Sequence, residues 1–302
     1  MKSPALAFLA IIGASFFFSL PPIITKILYQ SIDPIPLAFL RFLIASIVIM
    51  PFYFAHAKKD VWKTIIKVIP ISIFSSLNIL LFYLGIALTT ADSSTIIYTD
   101  VPLLVAILSY FFLKERLELR KILGILLGFF GICLIVLLPL FQKVKLSGDF
   151  SGNMLILAAT FSWAIYTIGS RRLIVKDKIS PLLITSISFF TSAIVFFAGT
   201  LIFAERDFIS PVFKGNNFIL LLLLGGIATV GSYLLMQWAV KNSSATIASL
   251  NQYAQPVFTI TLASIFLGEI ISTEFTLGAV LVFLGVFIAT GAGEKIFKKL
   301  KL

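Results

Sequence analysis

Charge is scarce in this sequence. Only 12% of its 302 residues are Asp, Glu, Lys or Arg, 59% are hydrophobic, and the mean hydropathy is +1.08. Soluble domains carry about 25% charged residues, so this composition excludes a water-soluble protein, although the length alone would admit one of two domains. Cysteine occurs once, as Cys133 inside an apolar run, which excludes an internal disulfide and a thiolate metal site. Histidine also occurs once, as His56 in a polar stretch, so no histidine relay or histidine metal cluster is available. No GxxxxGK[ST] loop is present, which argues against ATP-driven transport. Strict apolar–polar alternation is missing as well, and with it the signature of a membrane β-barrel.

What the sequence has instead is apolar runs such as "KILGILLGFFGICLIVLLPLF", which are apolar on every side. A helix needs about 20 such residues to cross the hydrocarbon core. Ten spans are expected, starting near Ala5, Pro36, Lys67, Ser93, Ile122, Gly152, Pro181, Phe218, Ala245 and Phe275. The first resembles a signal peptide but lacks a cleavage site and is read as an uncleaved span. With the N-terminus inside, 18 Lys and Arg fall in inner segments: Lys2, Lys58, Lys59, Lys63, Lys67, Lys114, Arg116, Arg120, Lys121, Arg171, Arg172, Lys176, Lys178, Lys241, Lys295, Lys298, Lys299 and Lys301. Five fall outside (Lys26, Lys143, Lys145, Arg206 and Lys214). Both termini are therefore expected in the cytoplasm of a cell whose inner or plasma membrane holds the chain. The basic excess reads as topology, and nucleic acid is not a partner.

The chain also repeats. A shift of 154 residues places Ala91 on Ala245, Pro102 on Pro256, Glu115 on Glu269, Gly124 on Gly278 and Gly131 on Gly285. A shift of 145 places Lys26 on Arg171 and Pro36 on Pro181. The expected fold is an all-α polytopic membrane protein of ten transmembrane helices, built as two five-helix repeats at residues 1–141 and 152–293. An odd number of spans per repeat inverts the second relative to the first, an arrangement common in secondary transporters with a midplane site between the halves.

The stretches "LAATFSWAIYTIGSRRL" (157–173), "NSSATIASLNQYAQPVFTITLASIFLGE" (242–269) and "TTADSSTIIYTDVPLLVAILSYFFLKE" (89–115) carry a family likeness. In these the chain resembles the drug/metabolite transporter superfamily, specifically the EamA-type ten-span permeases. The resemblance implies transport of small molecules and makes export of amino acids or related metabolites plausible. Family members move very different solutes, so it does not name one. The family often has an acid just before the proline of the ninth span, whereas this chain has Gln255 before Pro256, so a proton-coupling role for that position does not carry over.

Polar residues within the spans are few. Arg41 in the second span and Asp100 in the fourth are expected at similar depth in the outer half, where an acid and a base pair or face water. They read as a cavity site that grips a carboxylate or amine or gates its outer end, as a structural ion pair, or, for Arg41, as a cation snorkelling to the headgroups. Asp100 is the sole carboxylate deep in a span and has no counterpart in the second half, where Ala254 takes its place. Asn78, Asn251, Gln252 and Gln255 are the other strong polar groups. Asn251 and Gln255 share a helix face, suited to lining a cavity or to bonding between helices. Tyr98, Trp163 and Tyr166 offer aromatic surface with polar handles, the last two near midplane. Pro21 and Pro22 are expected to interrupt the first span, and the repeat-related Pro102 and Pro256 are hinge candidates. The glycine faces suit close helix packing, and would also suit a homodimer. Neither a metal nor a cofactor is called for, and an enzyme would need clustered acids or histidines that the spans do not contain. The expected function is a permease or exporter of small polar or amphipathic metabolites working by alternating access. A facilitative or multidrug-type exporter without proton coupling is the alternative.

Overall fold

The computed structural model describes residues 4–56, 61–89, 94, 97–143, 150–203, 207–267 and 273–292. Lys2, Lys58, Lys59, Ala91, Lys145, Arg206, Glu269 and the four C-terminal lysines invoked above lie outside them. Among the described residues the chain is helical and contains no strand. In chain order the helices are α1 (Pro4–Leu28), α2 (Pro34–His56), α3 (Val61–Ile86), α4 (Val101–Leu108), α5 (Leu119–Lys143), α6 (Phe150–Val175), α7 (Pro181–Phe203), α8 (Asn217–Asn242), α9 (Ala245–Ser249), α10 (Asn251–Leu267) and α11 (Thr273–Thr290). Six of these, α1, α2, α3, α6, α7 and α8, are each long and apolar enough to cross a bilayer. Shorter apolar helices lie at residues 101–113 and 275–290.

Helix is the form that lets an apolar segment satisfy its own backbone where no water can. Proline marks where several helices begin. Pro34 and Pro181 open α2 and α7, where the missing N–H would have no partner in any case. Pro21 and Pro22 do not interrupt the first helix as the sequence suggested: α1 runs through both, and the Thr25 hydroxyl donates to the Pro21 carbonyl at 2.6 Å. The repeat-related prolines sit in different local settings. Pro102 is in the first turn of α4, directly after a turn at Thr99–Asp100, while Pro256 lies within α10. The break in the second half is at Leu250, between α9 and α10, six residues before Pro256.

Packing follows small residues. The helices α5 and α11 share the most extensive interface. A Cβ on Gly124 would stand 2.5 Å from the Gly285 carbonyl oxygen, and one on Gly131 would stand 2.7 Å from that of Gly278. The low-numbered glycine of one helix meets the high-numbered glycine of the other, so the two run antiparallel with backbones touching. These faces are spent on each other. Elsewhere α2 packs on α7, α3 on α6 and α7, α1 on α8 and α10, and α4 on α6. Large apolar residues such as Leu9, Ile47, Phe54, Ile194 and Leu201 stay exposed, which suits lipid contact.

Candidate functional site

Arg41 and Asp100 do not meet. Arg41 is only 8% exposed; its Nε donates to Thr229 Oγ1 at 2.7 Å, and its guanidinium carbon is 5.3 Å from the Phe42 ring centroid. Thr229 ends a π-helical turn, residues 223–229 of α8, and its hydroxyl donates to the Leu224 carbonyl five residues back at 2.7 Å. That wider turn delivers the hydroxyl to Arg41. Gly225 lets the two helices close up, since a Cβ there would be 2.7 Å from the Arg41 carbonyl oxygen. The guanidinium is within electrostatic reach of the Tyr29 and Tyr233 hydroxyls.

Asp100 instead faces α6. It caps α4 without a side-chain cap bond, and its carboxyl has Thr160 as a hydrogen-bonding neighbour. One carboxylate oxygen, Oδ1, is buried without a partner. The Tyr98 and Tyr253 hydroxyls lie within electrostatic reach of this carboxylate. Asn78 on α3 ties the locus together: its Nδ2 donates to Tyr98 Oη at 2.6 Å and to the Ala159 carbonyl at 2.8 Å.

Other polar groups near these elements also lack partners. Trp163 Nε1, one turn along α6 from Thr160, is buried and unbonded, as are Tyr253 Oη and both side-chain atoms of the fully buried Asn251 amide. The Asn251 backbone is held, its carbonyl accepting from Ser15 Oγ at 3.1 Å. Gln252 and Gln255 are half-buried, and neither makes a side-chain hydrogen bond to a described residue. An unmade hydrogen bond on a buried group costs about 1–3 kcal/mol. Several such groups from α4, α6 and α10 mark a place suited to holding a polar solute.

Beside it runs a more fully bonded network, in which Gln237 Oε1 is still without a partner. Tyr233 is 2% exposed and packs within 6.4 Å of the Phe18, Phe42, Trp163, Tyr166 and Phe189 rings. Its hydroxyl is bonded to Ser75, and that of Tyr166 is bonded to Ser188 and accepts from Gln237 Nε2 at 2.9 Å. Serine pairs Ser72–Ser188 and Ser76–Ser192, at 3.0 and 2.8 Å, join α3 to α7. Sequence reasoning passed over this ladder and Gln237. The signal was there: on each helix two serines are four residues apart.

At the end of the bundle where α4 stops, Glu115 accepts from Arg171 Nε at 3.2 Å, from the Ala245 N–H at 3.3 Å and from the Thr246 hydroxyl at 3.3 Å. Arg171 Nη1 donates in turn to the Val240 and Lys241 carbonyls at 2.6 and 3.0 Å. Glu115 thus joins the end of α4 to α6 and α9, and through Arg171 to α8. Nearby Glu118 pairs with Arg120 and Lys121, and Lys121 foremost holds its carboxyl below the usual carboxylate range.

Known proteins share the fold. A solved crystal structure superposes with a TM-score of 0.80 over 96% of this chain and 99% of its own, at 18% identity, a likeness of fold. The transporter YetK of Bacillus subtilis, described as uncharacterized, is 29% identical over 293 residues, covering 93% of this chain and 84% of YetK. A transporter of Archaeoglobus fulgidus, described in the same way, is 28% identical over 281 residues, or 89% of this chain and 91% of its own. An S-adenosylmethionine uptake transporter of Rickettsia felis is 26% identical over 267 residues, 86% of this chain and 84% of its own. The model of the EamA-like transporter family matches twice, over residues 5–137 and 150–291. A multi-pass membrane protein by its apolar helices, the chain belongs to the EamA-like transporter family.

Proposed function

We propose that the chain is a secondary transporter of small zwitterionic metabolites, amino acids or close relatives, which pass between two inverted five-helix halves by alternating access. The observation that carries this is the group of unpartnered buried atoms around Asp100. Asp100 offers a carboxylate to an ammonium group. Trp163 Nε1 and Asn251 Nδ2 offer donors to a carboxylate, Tyr98 and Tyr253 line the walls, and Gln252 and Gln255 extend the path. Arg41, engaged with Thr229, acts on this reading at the α2–α8 side as a gate element rather than as the partner of Asp100. Asn78 and Tyr166 hold the frame.

Helix partnering supports the inverted halves. In this reading α1 packs on α8 and α10 as α6 packs on α3 and α4, the exchange that a two-fold relation in the membrane plane requires. The segments at 97–113, 119–143, 245–267 and 273–290 supply the remaining four of ten spans in this reading, with both termini on the cytoplasmic side. The Rickettsia felis relative named for S-adenosylmethionine fits the chemistry, since that solute is itself an α-amino acid.

The test is counterflow in proteoliposomes with labelled α-amino acids beside matched amines and carboxylic acids. Zwitterions should exchange, and Asp100→Asn should cut exchange about tenfold or more, the loss of one charge-assisted contact, without lowering the melting temperature. Equal exchange by Asp100→Asn sinks the assignment. An imposed pH gradient separates the coupled form of the mechanism, in which it drives uptake, from the facilitative form.

A further inference from the structure

A cleft of about 310 Å³ opens at the end of the bundle where α4 stops and α5 begins. Four cations line it: Arg116, Arg120, Lys121 and Arg171. Two carboxylates, Glu115 and Glu118, line it as well, so cations outnumber acids among its lining residues. Arg116 is the freest: its side chain is exposed and bonds to no described residue, and only its backbone carbonyl is used, accepting from Lys121 Nζ at 3.0 Å. Ser243 and Ser244 also line it.

Apolar surface adjoins this basic cleft. On α5, Leu119, Leu123, Leu126 and Phe130 are 71%, 53%, 42% and 61% exposed and recur with helical spacing, so they form one outward stripe leading away from the cleft. Phe111 and Phe112, 68% and 71% exposed, lie just before the cleft's first residues in the chain. A small soluble anion would use the cations and leave the stripe idle. A molecule with an anionic head and apolar tails uses both.

We propose that this cleft seats the phosphate of an anionic phospholipid, with its acyl chains along the Leu119–Phe130 stripe. Arg116 supplies the charge, and Lys121, although it pairs with Glu118 at 3.6 Å, reinforces it. Arg120 is tied to Glu118 and to the end of α11, where it packs on Gly291, and Arg171 is committed to Glu115, so these two shape the site more than they bind. The lipid would sit over the Glu115–Arg171 contact and bridge α5 to the α8–α9 junction. Basic pockets between membrane helices recognise anionic headgroups in this way, at roughly 1 kcal/mol per Lys or Arg.

The experiment uses the full chain purified in neutral detergent, with native mass spectrometry and thermal stabilisation as readouts. The probes are dioleoyl phosphatidylglycerol, dioleoyl phosphatidylcholine, glycerol phosphate and inorganic phosphate. Phosphatidylglycerol should be retained over phosphatidylcholine about tenfold or more, and the two soluble phosphates should neither stabilise the protein nor displace it. Arg116→Gln should weaken phosphatidylglycerol about fivefold, Arg116→Lys should largely restore it, and Arg116→Gln with Lys121→Gln should abolish the preference. Arg172→Gln, an exposed cation at the same end but outside the cleft, should change nothing. Equal retention of the two lipids, an equal effect of Arg172→Gln, or displacement by inorganic phosphate at matched concentration would overturn the proposal. Lipid binding is read without transport, so its outcome is independent of the counterflow test.

Discussion

Among the described residues, the two halves of the chain meet through charge where α3 begins and α6 stops, and through neutral groups at the opposite end of the bundle. At the first end Lys67 pairs with Asp177, and Glu115 with Arg171 and the start of α9. At the second, Thr89 donates to Asn153 at 2.6 Å, and Asn217 Nδ2 donates to Ser31 Oγ at 2.9 Å. The difference is mechanical. A partly buried carboxylate holding a guanidinium, an amide and a hydroxyl releases all of them together, whereas single neutral bonds exchange with water at little cost. In the proposed alternating-access mechanism, the charged end would switch between shut and open and the neutral end would loosen by degrees.

Three substitutions break or sharpen this contrast. The largest effect is expected from Glu115→Ala, which leaves Arg171 without its carboxylate and the Ala245 N–H and Thr246 hydroxyl without their acceptor. Ile247, buried and lining the cleft, serves as reporter when changed to Cys in a Cys133→Ser background. Its labelling rate should rise about tenfold, the opening expected from losing roughly 1.4 kcal/mol. An unchanged rate would mean that Glu115 only caps α9. Asp177→Asn should act in the same direction but only about twofold, because the Lys67 and Asp177 side chains are 53% and 25% exposed and surface pairs contribute about 0–1 kcal/mol. Asn217→Ala, at the far end, should leave the Ile247→Cys rate as it was. Salt orders the same series. Raising it to 1 M shortens the screening length to about 3 Å, which should erase the Asp177 effect, reduce the Glu115 effect and leave Asn217 indifferent.

Much of the fold was legible because a bilayer leaves few alternatives. Apolar runs of span length must be helices, and the paired glycines announced a tight contact, which α5 and α11 make. The lateral position of a side chain around the bundle was not legible. Arg41 and Asp100, expected at similar depth, lie against different neighbours, α8 and α6. The π turn that brings Thr229 to Arg41 leaves no mark that periodicity could read, because "LLGGIAT" is apolar in either register. The same limit hid the serine ladder: four-residue spacing places two hydroxyls on one face without saying which helix that face meets.

The sequence by itself determined that this is a membrane-embedded helical chain with two related halves, an acid present in only one of them, and charge gathered at the helix ends. These properties follow from composition, length and spacing along the chain. The tertiary structure decided which groups are satisfied and which are left to act. Arg41 is taken up by Thr229 and Glu115 by Arg171, while Asp100 Oδ1, Trp163 Nε1 and the Asn251 amide remain without partners. The reason is that hydrogen bonding depends on the packing of helices far apart in sequence, and apolar helices of uniform hydropathy do not specify their own rotation or partners.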